Sequence, residues 1–167
     1  MTVKAPVLLN DNHQLDAFDC GVPPLDEWLR RRARSNAASG ASHTYVACDE
    51  VNVVGYYALA AGAVELSATP GRFRRNMPDP IPIVVLGRLA VDRSQQGTGI
   101  GRALFRDAGL RVLQAASVIG VRGLLVEAIS ESAKAFYGAL GMSVSPIDPM
   151  TLMVTLDDLR ASLPAKP

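Results

Sequence analysis

At 167 residues, 49% hydrophobic and 20% charged, the chain is long enough to close one packed core and too short for two, so a single domain over 1–167 is expected. The uncharged stretch Val53 to Val64 falls well short of the roughly 20 residues a membrane helix needs, and the first ten residues hold one cation and too brief an apolar run for a secretion signal. A net charge of +1 points to no acidic partner on average, yet fourteen of the seventeen basic residues are arginine and they cluster at Arg30, Arg31, Arg32, Arg34 and at Arg72, Arg74, Arg75. Cys20 and Cys48 are too far apart for a local metal pair and too few for a disulfide framework, which predicts a soluble protein of a reducing cytoplasm with no membrane partner and no metal site.

Val7-Leu8-Leu9 reads as a first strand. Pro23 and Pro24 then launch a helix, since proline is tolerated in a first turn, and Asp26 and Glu27 favour that start. Leu25, Trp28, Leu29 and Ala33 form its inward stripe; Arg30, Arg31 and Arg34 point elsewhere, while Arg32 falls among the apolar positions, snorkelling or lining a cleft. Asn36 to Gly40 is expected to end the helix in a small-residue loop. Ser42 to Cys48 and Val51 to Leu66 are rich in Val and Tyr and read as a hairpin turning at Asp49-Glu50. Ser67 to Pro80 holds three prolines, one glycine and the second arginine cluster, a surface loop by composition.

The chain is organised around an apolar strand from Ile81 to Val91, a polar turn, and Gln96-Gly97-Thr98-Gly99-Ile100-Gly101-Arg102 opening a long helix. Leu104, Phe105, Ala108, Val112, Ala115, Ala116 and Ile119 share one face of that helix, with Arg102, Arg106, Asp107, Arg111 and Gln114 opposite. Gly123 to Ala128 is a short buried strand, parallel to the first by the strand-helix-strand order. Ser130 starts a further helix through Ala133, Ala135, Phe136 and Leu140, ended by Gly141; Thr151 to Leu156 is the last strand, followed by a small helical turn.

A glycine-rich turn between a strand and a helix leaves the first N–H groups of the helix unpaired and lets a phosphate approach them. Glycines serve tight turns for steric reasons too. The dinucleotide fingerprint needs G-x-G-x-x-G with an acid about 20 residues on, and the nucleoside-triphosphate loop needs Lys-Ser/Thr after its last glycine; Arg102-Ala103 follows Gly101, and neither pattern is met. What remains, Gln96-x-x-Gly99-x-Gly101 after an apolar strand, resembles the pyrophosphate loop of the GCN5-related N-acetyltransferases (GNAT). The resemblance implies an α/β fold with a mixed, mostly antiparallel sheet splayed at a central parallel strand pair. It also implies acetyl-CoA as cosubstrate, with its diphosphate on Gln96, Gly97, Thr98, Gly99, Ile100, Gly101 and Arg102. Its pantetheine arm would pair with the backbone of Leu89, Ala90 and Val91 on a bulged, splayed strand.

Ser132-Ala133-Lys134-Ala135-Phe136-Tyr137 with Gly141-Met142 resembles the second cofactor element of the same superfamily. By that resemblance Ser132 and Phe136 contact the cofactor, with Ser132 where members often carry asparagine, and Tyr137 protonates the departing thiolate. Acetylation of an amine needs an unprotonated nucleophile, a stabilised oxyanion and a proton for sulfur. No base stands out: His13 sits in a loop, His43 opens a strand, and Glu127 is equally a candidate and an edge charge. An amine that is neutral in a substantial fraction near pH 7–8, such as an α-amino group of about 7.7–8.0 or lower, needs no strong base.

The segments Phe18-Asp19-Cys20-Gly21, Leu25 to Leu29, Thr44-Tyr45-Val46, Val54 to Tyr57 and Leu86-Gly87-Arg88-Leu89-Ala90-Val91-Asp92 are similar, in order, to a narrower group. These are the acetyltransferase toxins of bacterial toxin–antitoxin modules, with His43 departing from an expected arginine. Membership implies acetylation of the α-amino group of aminoacyl-tRNA, arrest of translation, and a ribbon-helix-helix antitoxin encoded alongside. The oligomeric state stays open, a homodimer among the options. Arg30, Arg31, Arg34, Arg72, Arg74 and Arg75 then become candidate tRNA contacts, the alternative being a solvated helix face and loop. Rival functions are a GNAT enzyme acting on a small amine or a protein N-terminus, and a catalytically silent coenzyme A- or nucleic-acid-binding module.

Overall fold

The computed structural model describes residues 2–163. Seven strands, β1 (Val7–Leu8), β2 (His43–Asp49), β3 (Asn52–Val64), β4 (Ile81–Val91), β5 (Gly123–Glu127), β6 (Ser143–Val144) and β7 (Thr151–Thr155), form one mixed sheet in the order β1-β2-β3-β4-β5-β7-β6. β4 and β5 pair in parallel, and the other pairings described are antiparallel. This is the expected splayed α/β architecture. Among the described residues, contacts divide the chain into two compact units, one built from 2–60 with Gly87–Ala108, the other from Ala61–Leu86 with 109–163.

In the first unit, Pro23 and Pro24 occupy the opening turn of helix α1 (Pro23–Arg31), where their missing N–H groups cost nothing. Asp26 is only 5% exposed, and its carboxylate accepts the Cys20 N–H at 2.9 Å, pinning the incoming chain to the helix. Leu29 and Ala33 are fully buried with Phe18, Val46, Tyr56 and Ala90. The helix breaks at Arg32, which is exposed, and resumes as α2 (Ala33–Ser39). The expected loop at Asn36–Gly40 is therefore helical through Ser39. Alanines favour the helix, buried Ala33 anchors it, and Gly40, at φ 81°, supplies the left-handed residue that ends it.

Helix α4 (Ile100–Ala116) starts in this unit with Leu104, Phe105 and Ala108 fully buried. It sits so close to β3 that a Cβ at Gly55 would lie 3.0 Å from Leu104 Cδ1. Asp107, expected on the solvent face, instead accepts a hydrogen bond from the hydroxyl of buried Tyr57. A buried phenol needs such a partner, and that requirement overrides the helical pattern.

In the second unit, the segment expected as a surface loop holds a 3-10 turn (Leu66–Ala68) and the short helix α3 (Gly71–Arg74). Phe73, 2% exposed, plugs α3 into a core of Ile81, Ile83, Leu125 and Met153. Arg122 fixes the same turn by donating to the Phe73 and Arg72 carbonyls at 2.7 and 2.8 Å. Val112 of α4 is buried, but the helix ends at Ala116, so Ile119 leaves the expected inward stripe and is 55% exposed. Helix α5 (Glu131–Ala139) is capped by the Ser130 hydroxyl, which accepts the Ala133 N–H, and is followed by Gly141 at φ 99°. Helix α6 (Leu156–Ser162) is capped by Thr155.

Candidate active site

The strand-to-helix junction after β4 is held by side chains on both flanks. Asp92 closes the strand: its carboxylate accepts the Asp19 N–H at 2.9 Å and both the N–H and hydroxyl of Ser94, at 3.0 and 2.7 Å. Burial alone would raise this carboxyl, but the Asp19 and Ser94 hydrogen bonds and the nearby Arg93 charge outweigh it and hold the pKa below the usual range. Gln96 donates its side-chain amide to the Val91 and Cys20 carbonyls, both at 2.9 Å, so its amide ties the loop to the strand end. The Thr98 hydroxyl donates to Gln95.

Gly97 and Gly99 adopt φ of 79° and 91°, and a Cβ on either would meet nothing within 4 Å. Conformation rather than crowding calls for glycine, and the space over the loop is open. The first helical bond of α4 runs from Ala103 N–H to the Gly99 carbonyl, so the N–H groups of Ile100, Gly101 and Arg102 precede the ladder at the positive end of the helix. An open cradle of N–H groups with no helical acceptor among the described residues fits a diphosphate. Beside it lies a mostly apolar cavity of about 320 Å³, lined by Pro6, Ala47, Thr98, Gly99, Leu104 and Arg106 among others.

Upstream, the parallel ladder registers Val84, Val85 and Leu86 on Leu124, Leu125 and Val126 and goes no further, although β4 continues to Val91. Gly87 to Val91 thus run on without a β5 partner among the described pairings, and their edge is available to an extended ligand. Leu89 and Val91 are half-buried; the Ala90 side chain is buried in the core, leaving its backbone as the group a ligand can use.

In the second unit, α5 carries Ser132, Phe136 and Tyr137. The Ser132 hydroxyl lies 3.2 Å from that of Ser130. Phe136 meets Tyr137 edge to face at 5.2 Å between centroids. Tyr137 is 7% exposed, and burial raises its pKa, so the phenol keeps its proton at neutral pH and suits a donor.

Residues 40–141 match the sequence model of the acetyltransferase (GNAT) domain. The chain belongs to the GNAT acetyltransferase family. It is 48% identical over 158 residues, 95% of each chain, to the tRNA-acetylating toxin of Mycobacterium tuberculosis (strain ATCC 25618 / H37Rv). The toxin AtaT complexed with acetyl-methionyl-tRNAfMet superposes with a TM-score of 0.87 at 31% identity, covering 96% of this chain and 98% of that one. A tyrosine-to-phenylalanine mutant of AtaT, bound to the C-terminus of the antitoxin AtaR and acetyl-CoA, gives 0.81 at 30% identity, over 95% and 96% of the two chains.

Within this GNAT chain the candidate base positions hold little promise. His13 accepts the Asn10 N–H at Nδ1, and burial followed by the Arg34 charge lowers its pKa, which marks it as structural. His43 is exposed at the start of β2, and Glu127 is exposed opposite Thr151. No cluster of metal-ligating side chains occurs among the described residues, and no helix there is long and apolar enough to cross a membrane.

The arginines divide by employment. Arg30 donates to the Phe18 carbonyl at 3.0 Å, and Arg34 to those of Asn10 and His13 at 3.0 and 2.7 Å. Arg72 makes a bidentate pair with Asp158 at 2.6 and 2.7 Å, and Arg74 donates to Thr69 at 2.8 Å. Arg31 and Arg75 have no such acceptor among the described residues. Residue patterns alone missed two further features of the first unit, the Tyr57–Asp107 bond and the stacking of Arg88 on Trp28. Both join residues far apart in sequence, and no local spacing signals them.

Proposed function

We propose that this chain acts over its whole length, as one domain, as a toxin acetyltransferase. It transfers the acetyl group of acetyl-CoA to the α-amino group of aminoacyl-tRNA, stops translation in the cytoplasm, and is neutralised by a ribbon-helix-helix antitoxin. The observation that carries this reading is the 48% identity, over 95% of both chains, to a tRNA-acetylating toxin. The AtaT complexes with an acetylated initiator tRNA, and with acetyl-CoA and an antitoxin C-terminus, support the same acceptor, cosubstrate and partner.

Acetyl-CoA supplies an acetyl group already activated as a thioester. The N–H groups of Ile100, Gly101 and Arg102, on a loop opened by Gly97 and Gly99, are the diphosphate donors, and the Gly87–Val91 edge pairs with the extended arm. Tyr137, protonated in its buried setting, gives a proton to the leaving sulfur. The weakness of every candidate base fits an acceptor amine that is substantially neutral at working pH. Arg31 and Arg75 offer open forks to phosphates, while Arg30, Arg34, Arg72 and Arg74 contribute charge from fixed positions.

The test offers charged and uncharged tRNA with labelled acetyl-CoA and asks whether label stays on the amino acid after the ester is hydrolysed. Label on aminoacyl-tRNA alone is expected. Label on free amines or proteins, with none on any aminoacyl-tRNA, leaves the generic acetyltransferase; no label anywhere leaves a silent binding module.

A further inference from the structure

Arg88 is the best-prepared unused cation in the first unit. Its guanidinium carbon lies 4.3 Å from the centroid of the Trp28 ring, and Trp28 in turn stacks on Tyr56 at 6.0 Å with only 9° between the planes. Tyr56 is fully buried and its hydroxyl donates to the Leu25 carbonyl at 2.7 Å, so the base of the stack is fixed to α1. Arg88 itself is half-buried. No carboxylate or carbonyl among the described residues accepts a hydrogen bond from it. A planar fork held by stacking, with its donors unspent, has already lost much of the rotamer freedom that binding would otherwise cost, and its geometry matches a phosphate or carboxylate.

Its place on the strand narrows the ligand. β4 leaves β5 after Leu86, and the diphosphate loop begins at Gln96. An arm laid along Gly87–Val91 with its diphosphate at the loop therefore carries its thioester toward Gly87–Leu89, beside the root of Arg88. On an aminoacylated RNA end, the negative charge nearest the reacting α-amine is the 5′-phosphate of the terminal nucleoside, one ribose away.

We propose that Arg88, stacked on Trp28, binds that terminal phosphodiester and so reads the acceptor end of the RNA itself, apart from any contact between the arginine clusters and the tRNA body. This rests on the aminoacyl-tRNA reading above. Arg88 is thus an acceptor-binding residue that distinguishes a nucleotide acceptor from a bare amine.

The test compares two stable acceptors, 3′-aminoacylamido-3′-deoxyadenosine with a free 5′-hydroxyl and the same nucleoside carrying a 5′-phosphate, with charged tRNA as the reference. Wild type is expected to show a KM about 10- to 100-fold lower for the phosphorylated acceptor, the range of one charge-assisted contact. Arg88→Gln, which keeps the β4 backbone proposed to pair with the arm, should bring the KM for the phosphorylated acceptor up to that for the hydroxyl acceptor; Arg88→Lys, which keeps charge but loses the fork, should retain part of the preference. Equal loss on both acceptors, a changed KM for acetyl-CoA, or reaction with charged tRNA without any preference for the phosphate would overturn the proposal. If wild type fails on charged tRNA, the aminoacyl-tRNA reading falls and this proposal with it.

Discussion

Gly99 meets two requirements at one position: a φ of 91°, and a carbonyl that accepts the first hydrogen bond of α4. Gly99→Asp adds strain and places a carboxylate where the diphosphate is proposed to sit, so calorimetry should show acetyl-CoA binding weakened at least about tenfold in a protein with an unchanged helical spectrum. Gly99→Ala carries the strain alone and should lose less. Normal binding by the aspartate variant would reduce the loop to a turn. Tyr137 is tested the opposite way, because Tyr137→Phe keeps the packing ring and removes only the hydroxyl. Acetyl-CoA affinity should hold while turnover drops by about 10²–10⁴-fold, and induced expression should no longer arrest growth. Equal toxicity would remove the phenol from the mechanism. The direction of its pKa shift also sets the pH profile: since burial raises it, activity should climb as the acceptor amine deprotonates near pH 7.7–8.0 and show no fall below pH 10 from loss of the Tyr137 proton. An alkaline decline centred well below pH 10 would point to another acid.

At the scale of elements, the proposed cofactor cradle depends on how β4 is ended, and Asp92 ends it. Asp92→Ala leaves the Asp19 and Ser94 donors without their acceptor; a loss of about 1 kcal/mol is expected from a cap of this kind, with a raised KM for acetyl-CoA as the loop loosens. The folded carboxyl titrates below its ordinary 3.8, so its contribution is present above that value and is lost as pH falls through the lower, folded pKa. Wild type and variant should therefore differ in melting temperature at pH 7 and draw together only as pH falls from 3.8 through the lower, folded pKa. A gap that persists into acid would mean that Asp92 acts by packing rather than charge. The same elements show why parts of the fold were legible in the chain. β4, the glycine loop and α4 announce themselves through an apolar run, φ-demanding glycines and a helical stripe. α2 and α3 did not: Ala-Ala-Ser-Gly reads as a loop until buried Ala33 is seen anchoring it, and Phe73 reads as one apolar residue among prolines until its core partners, Ile81 to Met153, are known. β6 is two residues long and has no pattern to read. At the candidate site, local motifs single out the glycines and Tyr137 as proposals, whereas Gln96 bonding the Cys20 carbonyl and Arg88 lying on Trp28 are set by contacts across 60 to 76 residues.

At the scale of the whole molecule, a net charge of +1 conceals the property that matters for an RNA acceptor, which is where the positive charge has no internal partner. Of the six cluster arginines proposed to meet tRNA, Arg72 is spoken for by Asp158, and Arg30, Arg34 and Arg74 by backbone carbonyls, while Arg31 and Arg75 have no such acceptor among the described residues. Each phosphate contact releases condensed counterions, so acetylation of charged tRNA at sub-saturating concentration should fall steeply with salt. Replacing Arg30, Arg31 and Arg34, or Arg72, Arg74 and Arg75, by glutamine should raise the KM for tRNA and flatten the plot of log kcat/KM against log salt. Acetyl-CoA binding should stay as it was. The division of the arginines sharpens this expectation. Arg31→Gln and Arg75→Gln should each account for a larger share of the flattening than Arg72→Gln, because a guanidinium already doubly bonded to a carboxylate has less charge left to offer a phosphate. Salt slopes unchanged in both triple variants would mean that the clusters are solvated surface and that the acceptor is held elsewhere. A slope that flattens most in Arg72→Gln would mean that the Asp158 pair opens on binding, so that the bidentate contact is exchanged from carboxylate to phosphate.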